Sequence, residues 1–361
     1  MNSRWTRRPE GWRLRSWRSW SAVGASAWSA FVTALGIYWW MGGAGFPFGR
    51  NDVVGPDYSS LLTWLEPRSG GAAITLAGLV CLVVAVRLDA GIPRHGERTV
   101  VLPAGGAIAV VLVGGVLDAR MITLLPPLGV LIPVQWLDAD WPTIFRGLVT
   151  VGSALFFLAT AAYARRTAPS DTSSLRREAR RAHRWIRVGR VATYVAMVCP
   201  LPYATIRLAW SRGWAFGAPA PFVASLLRNQ PENVYIEPVL AGFALGGAVL
   251  TGGLLRRWGR VFPGWMPVIG RRQVPMWFPL TLGASAAIGI FTFGRGLLTE
   301  QLGLHIPGEL DKVQAWGQPL RGWAYWGAGG LGWLLFPVWG VAVALALVGY
   351  YYRYRDRPSA G

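Results

Sequence analysis

Charged residues that could bind a ligand lie near the ends of long apolar segments of the chain. Arg207 and Arg146 fall inside two such segments, a few residues from one end. Arg120 and Arg295 follow two others, and Glu237 precedes a further one.

Guanidinium groups bind phosphate and carboxylate through several hydrogen bonds, and the nearby loops are rich in tryptophan. We predict a pocket for a polar or lipid headgroup, with Arg120 and Arg295 as its floor. The predicted ligand-binding residues are Arg120, Arg295, Arg207 and Glu237. Ordinary ion pairs within loops are the alternative interpretation.

The histidines and cysteines do not suggest a metal site or a catalytic group. His95, His183 and His305 show no metal-ligand spacing, and no His-Glu-x-x-His motif occurs. Cys81 and Cys199 each stand alone in an apolar segment, which predicts two buried free thiols. We therefore predict no catalytic residue, no metal and no cofactor, and the sequence favours a protein that is not an enzyme.

The composition of the whole chain is that of a membrane protein. Of 361 residues, 53% are hydrophobic and 15% are charged, whereas soluble domains carry about 25% charged residues. Long apolar runs between clusters of arginine predict an all-α, polytopic integral membrane protein with eight transmembrane helices. The predicted spans cover roughly residues 20–41, 72–88, 100–117, 143–163, 191–211, 238–255, 275–294 and 329–350.

The apolar segment 121–134 is too short for a ninth span. Pro126, Pro127 and Pro133 would each break a helix, so we predict a re-entrant or surface-lying segment. A ninth span would also place the arginine-rich segment 164–190 outside the cell, whereas basic residues prefer the cytoplasmic side.

The distribution of basic residues predicts the orientation in the membrane. Most of the 36 Lys and Arg residues lie in the two termini and in alternate loops, which predicts that both termini are cytoplasmic. The net charge of +19 then describes a basic cytoplasmic face whose partner is the anionic headgroups of the lipid bilayer. We predict a multi-pass protein of a plasma membrane of bacterial type, with no nucleic-acid partner. An unidentified protein partner stays open.

One arginine-rich segment, residues 173–190, has an amphipathic pattern. Leu175, Ala179, Ala182 and Ile186 recur at helical spacing among the arginines. This pattern predicts a helix that lies on the inner membrane surface. A solvated basic linker is the alternative.

A weak internal repeat indicates how the spans are organised. A Trp-x-x-Gly-x-x-Phe step after the first span recurs after the fifth. Its residues are Trp40, Gly43 and Phe46 in the first half and Trp210, Gly213 and Phe216 in the second. Tryptophan favours the membrane interface and glycine permits a tight turn, so the step is interpreted as the exit of a span at the outer interface.

The repeat predicts two parallel four-helix repeats, related by a pseudo-two-fold axis along the membrane normal. The predicted organisation is a basic cytoplasmic N-terminal segment (1–19), a first membrane repeat (20–166), a basic amphipathic cytoplasmic linker (167–190), a second membrane repeat (191–352) and a cytoplasmic tail (353–361).

The loop and adjoining span at residues 256–279 resemble a pattern in uncharacterised multipass membrane proteins of actinobacteria. The resemblance rests on three steps: Trp258-Gly259, Phe262-Pro263-Gly264-Trp265 and Gly270-Arg271-Arg272-Gln273-Val274-Pro275. It implies a family without an assigned activity, so no catalytic residue follows from it.

Three classes of function are consistent with these patterns. The first is binding or translocation of a small or lipidic molecule at the interface between the repeats. The second is a non-catalytic membrane subunit of a larger complex, and the third is a membrane enzyme acting on a lipid-linked substrate. The predicted spans carry no acidic residue or histidine at mid-depth, which disfavours proton-coupled transport.

Overall fold

The computed structural model shows a chain built from α-helices. It describes residues 17–53, 55, 60–90, 96–118, 120, 140–167, 172–216, 220–229, 231–267, 270–301 and 331–355. Within these ranges the helices are α1 (Trp17–Trp40), α2 (Pro67–Asp89), α3 (Glu97–Val111), α4 (Trp141–Arg166), α5 (Thr172–Val198), α6 (Pro200–Ser211), α7 (Ala220–Asn229), α8 (Asn233–Gly253), α9 (Trp277–Gln301) and α10 (Leu331–Arg355).

The prediction of an all-α protein with eight helices able to span a membrane is confirmed for the described residues. Eight helical segments of the described ranges are long and apolar enough to cross a membrane. They are Trp20–Trp40, Pro67–Asp89, Glu97–Val116, Trp141–Arg166, Ala179–Ser211, Asn233–Gly253, Trp277–Arg295 and Leu335–Arg355. The fifth of these combines α5 and α6, which meet at Pro200. The predicted re-entrant segment 121–134 lies outside the described residues.

The predicted surface-lying helix at residues 173–190 is corrected by the structure. This segment is helical, but it is the first part of α5, which continues without interruption to Val198. Ala182 and Gly189 are buried on this helix, whereas the neighbouring arginines are exposed. Ala182 and Gly189 belong to the face of α5 that packs against the protein, whereas Ala179 is exposed. The segment is therefore the start of the fifth span helix and not a separate interfacial helix.

The exits of α1 and α6 share one backbone motif. Gly42 and Gly213 follow these helices with φ values of +96° and +75°, which favour glycine. Their N–H groups donate to the carbonyls of Trp39 and Trp210 at 3.0 and 2.9 Å. The next residue in each case donates to the carbonyl five positions earlier, which completes a Schellman motif.

This motif changes the predicted alignment of the two exits by one residue. The glycine in the left-handed region is Gly42 and not Gly43, so Trp39 corresponds to Trp210. Both tryptophans are buried, with 1% and 2% of their surface exposed, whereas Trp40 is 56% exposed. The ring of Trp210 therefore packs inside the protein, and its depth at a membrane interface stays a prediction.

The helices form two compact units, α1–α4 and α5–α10. In the first unit α1 packs along α2 and α4, and α3 packs on α4. Trp28 of α1 meets Phe156 of α4 edge to face, with ring centroids 6.2 Å apart. Its Nε1 donates to the carbonyl of Leu148 at 2.8 Å. Leu88 and Tyr163 complete this core, with 0% and 1% exposure.

In the second unit, α5 and α6 pack on α8 and α10, and α9 packs on α10. Helices α5 and α10 cross in direct backbone contact at Gly189 and Gly349. A Cβ atom on Gly189 would lie 2.4 Å from the Cα of Gly349, so both positions require glycine. Tyr203 and Phe336 meet edge to face at 5.1 Å beside the buried Trp339.

The last membrane helix of each unit ends in the same way. Arg166 at the end of α4 donates to the carbonyl of Leu88 at the end of α2. Arg353 at the end of α10 donates to the carbonyl of Leu254, just after α8, at 3.1 Å. A buried tyrosine precedes each arginine by one helical turn. The two units therefore use one internal arrangement at these ends.

Candidate functional site

Arg207 of α6 and Glu237 of α8 form an ion pair in the second unit. Nη1 of Arg207 donates to both carboxylate oxygens of Glu237 at 2.8 Å. The Glu237 side chain is 3% exposed and that of Arg207 is 17% exposed. The pair is therefore mostly removed from solvent but keeps an opening on the arginine side. This site is called the α6–α8 pair below.

Two aromatic rings hold the guanidinium of this pair. Its central carbon lies 4.9 Å from the ring centroid of Tyr203 and 5.8 Å from that of Trp210. Tyr203, Arg207 and Trp210 lie one turn apart on α6, so the helix itself aligns rings and cation. Cation–π contacts of this kind contribute about 0.5–2 kcal/mol, which helps to offset the cost of removing the arginine from water.

Helix α7 covers the neighbouring surface of α6. Val223 and Leu226 of α7 are buried against Ile206 and Trp210 of α6. The predicted spans 191–211 and 238–255 leave this segment in the loop between them, so helix α7 was not predicted. The signal that could have found it is the apolar spacing of residues 220–229, which is that of an amphipathic helix.

The guanidinium of Arg207 has binding capacity that Glu237 does not use. Arginine and carboxylate often pair through two nitrogens and two oxygens, whereas Glu237 engages only Nη1. The Nε donor is buried and has no hydrogen-bond partner among the described residues. The guanidinium therefore has one donor that Glu237 does not engage, and this donor is not exposed to solvent.

The structure corrects the expected position of Glu237. It was predicted just before the sixth span, but it lies inside α8 and inside the candidate span Asn233–Gly253. Arg207 lies inside its apolar segment, as expected, and is paired with Glu237.

The two arginines predicted as the floor of the pocket lie in different local settings. Arg120 is 2% exposed, and its Nε donates to Asp118 at 3.0 Å. Arg295 is half-buried on α9. Of the four predicted site residues, the structure joins Arg207 and Glu237 in one ion pair and places Arg120 in a second pair with Asp118. The ligand site at these four positions stays a prediction.

A further buried ion pair, which the sequence analysis did not predict, lies in the first unit. Nη2 of Arg146 donates to Asp52 at 2.7 Å, and Nη1 donates to the carbonyls of Pro142 and Pro47 at 3.0 and 3.4 Å. The side chains of Arg146 and Asp52 are 0% and 1% exposed. This site is called the α4 pair below.

Aromatic rings enclose the α4 pair. The guanidinium carbon of Arg146 lies 5.1 Å from the ring centroid of Phe48. Phe48 contacts Phe46 and Phe145 edge to face, and Trp39 contacts the same two rings, with all four centroid distances between 5.5 and 5.7 Å. Such edge-to-face clusters add packing energy beyond buried area. Phe46 is 1% exposed in this cluster, whereas Phe216, its counterpart in the predicted repeat, is 60% exposed.

The remaining chemical groups give no second candidate. Cys81 and Cys199 are free and buried, as predicted. Among the residues that the structure describes, no three His, Cys, Asp or Glu side chains are grouped so that they could hold a metal ion.

Comparisons of this chain with protein-family models, with curated proteins and with solved structures find no match. The functional argument therefore depends on the residues of this chain alone.

Proposed function

We propose that this protein binds or translocates a small or lipidic molecule in a plasma membrane of bacterial type. The observation that carries the proposal is the α6–α8 pair, in which Glu237 engages Arg207 through one nitrogen, two aromatic rings flank the guanidinium, and the arginine side chain stays 17% exposed. Charged groups inside membrane helices are costly and usually functional.

The chemistry of the pair favours a ligand with an anionic or strongly accepting group, such as a phosphate, a carboxylate or a polarised carbonyl. Arginine binds these groups through parallel hydrogen bonds. The rings of Tyr203 and Trp210 would contact the apolar part of the same molecule. Glu237 neutralises Arg207 while the site is empty, and it would compete with an anionic ligand for the guanidinium.

The proposed architecture is two parallel four-helix repeats with both termini in the cytoplasm, as the basic loops predict. Three features support the repeat: the same order of helix packing within each unit, the two Schellman exits, and the two arginines that bond to a carbonyl at the end of a neighbouring helix. In this orientation Arg207 and Glu237 lie near the outer surface.

Native mass spectrometry of the full chain, gently extracted from its own membrane, tests the proposal. We expect a discrete additional mass on the wild-type protein and its loss in Arg207→Gln. The matched control is Arg228→Gln, which removes an exposed arginine from α7 nearby and is expected to retain the mass. Equal occupancy in the two variants would place the bound molecule elsewhere and reject this site.

A non-catalytic membrane subunit is the second candidate function. The segment between α8 and α9 is fixed by backbone hydrogen bonds between Phe262 and both Arg271 and Arg272 at 2.9 Å, yet Trp265 within it is 79% exposed. A tryptophan that is exposed on an ordered loop is typical of a surface that contacts another protein. A stoichiometric second polypeptide in the same spectra, lost in Trp265→Ser, would support this candidate.

A further inference from the structure

A groove at the start of α5 combines three arginines with an apolar floor. It has a volume of about 770 Å³ and is lined by Arg180, Arg181, Arg184, Trp185, Val188 and Leu345. The three arginines are exposed, whereas the tryptophan, valine and leucine are half-buried. The described residues that line it include no acidic side chain, so its charge is not neutralised from within.

The crossing of α5 and α10 fixes the depth of this groove. Gly189 and Gly349 are in contact, and Arg353 lies one turn beyond Gly349 at the end of α10. Arg180 precedes Gly189 by about 13 Å along α5, at 1.5 Å per residue. The candidate span Ala179–Ser211 has 33 residues, or about 50 Å, whereas the hydrocarbon core is about 30 Å thick. In the proposed orientation, the arginine end of the groove extends beyond the hydrocarbon on the cytoplasmic side, and its apolar end enters it.

From this arrangement we propose that the groove binds one anionic phospholipid of the inner leaflet. The phosphate would accept hydrogen bonds from Arg181 and Arg184, and the glycerol backbone would rest against Trp185. One acyl chain would follow Val188 and Leu345 into the bilayer. Basic pockets between membrane helices bind such headgroups, and tryptophan favours this depth. The proposal does not depend on the α6–α8 pair.

Native mass spectrometry of the delipidated full chain in a neutral detergent tests the proposal with dioleoyl phosphatidylglycerol as the probe. We expect one tightly bound lipid on the wild type, and at least about tenfold weaker binding in the double variant Arg181→Gln with Arg184→Gln, because each charge-assisted hydrogen bond to the phosphate contributes about tenfold. The matched control is Arg187→Gln with Arg190→Gln, which removes two exposed arginines of the same helix that do not line the groove. We expect at most a twofold change for this control.

A second variant keeps the test decisive if the arginine variants do not fold. Val188→Trp fills the apolar end without changing charge, and we expect it to weaken phosphatidylglycerol binding at an unchanged unfolding midpoint. Equal weakening in the groove and control pairs would overturn the proposal, as would equal affinity for dioleoyl phosphatidylcholine. Displacement of the lipid by millimolar inorganic phosphate would also overturn it, since the occupant would then be a soluble phosphate compound.

Discussion

The α4 pair and the α6–α8 pair have the same chemistry and different surroundings. In the α4 pair, Arg146 bonds to Asp52 and to two backbone carbonyls, and both side chains are at most 1% exposed. In the α6–α8 pair, Arg207 bonds to Glu237 through one nitrogen and stays 17% exposed. The difference lies in how completely the guanidinium is enclosed.

This difference in enclosure predicts a structural role for the α4 pair and a binding role for the α6–α8 pair. Removing either partner of an enclosed pair leaves a buried charge without compensation, which is strongly destabilising. The α4 pair joins α4 to the segment that follows α1 and therefore fixes the fold of the first unit. The α6–α8 pair keeps an opening to solvent on the arginine side, which a ligand needs. The comparison predicts four outcomes, from the largest to the smallest.

The largest effect is expected for Arg146→Met. The variant leaves Asp52 charged, buried and unpaired, and we expect a loss of about 3–5 kcal/mol in the free energy of unfolding. Titration with a denaturing detergent measures it. The matched control is Arg50→Met, an exposed arginine two residues from Asp52, for which we expect a change within about 0.5 kcal/mol. The double variant Arg146→Met with Asp52→Leu should recover much of the loss, and a double variant as unstable as the single one would contradict the assignment.

A smaller loss is expected for Glu237→Gln. The glutamine keeps the volume of the side chain and one hydrogen bond, and Arg207 keeps its contacts with the two rings and with water. We therefore expect a loss of about 2 kcal/mol, measured by the same titration. Glu232→Gln, an exposed acid just before α8, is the control and should be neutral. A loss as large as that of Arg146→Met would mean that the α6–α8 pair is equally structural.

The covering helix α7 gives the third outcome. Val223→Ala removes buried methyl groups from its contact with α6, and we expect a loss of about 1–1.5 kcal/mol. The same change should speed the dissociation of any molecule bound at Arg207, because α7 covers the adjacent surface. Ala224→Ser, at an exposed position of the same helix, is the control for both measurements. Slower dissociation in Val223→Ala would show that α7 does not limit access.

The smallest effect concerns salt. Exposed charges are screened by ions, whereas buried pairs are screened much less. Between 0.05 and 1 M sodium chloride we expect the destabilisation caused by Glu237→Gln to fall by a few tenths of a kcal/mol. The destabilisation caused by Arg146→Met should stay constant within error. A larger salt effect on the α4 pair would contradict its enclosure.

The spans could be predicted from the sequence because each is a long apolar run bounded by charge or proline, and this signal is local. The pairing of Arg146 with Asp52 could not be predicted, since the residues are 94 positions apart and nothing in the local pattern joins them. The same holds for Arg207 and Glu237, where the residue types were identified as a candidate site but the bond between them was not.

Local patterns also misplaced two features. The arginines of residues 173–190 indicated a surface helix. The structure instead shows that this segment is the first part of α5, which packs against α10 at Gly189. Matching tryptophans aligned the two span exits at Trp40 and Trp210, whereas the backbone turn aligns them at Gly42 and Gly213. For each feature the residue types alone were consistent with two interpretations. A tertiary contact decided the first case, and a backbone conformation decided the second.

Ligand occupancy in Glu237→Gln tests the central claim most directly, namely that the α6–α8 pair is a binding site in which Glu237 competes for Arg207. Native mass spectra of the wild type and of Glu237→Gln, extracted from the same membrane, measure it. The account predicts that the anionic species bound to the wild type has several-fold higher occupancy in Glu237→Gln, with Glu232→Gln unchanged. Unchanged or lower occupancy in Glu237→Gln, in a variant that is folded, would contradict the account.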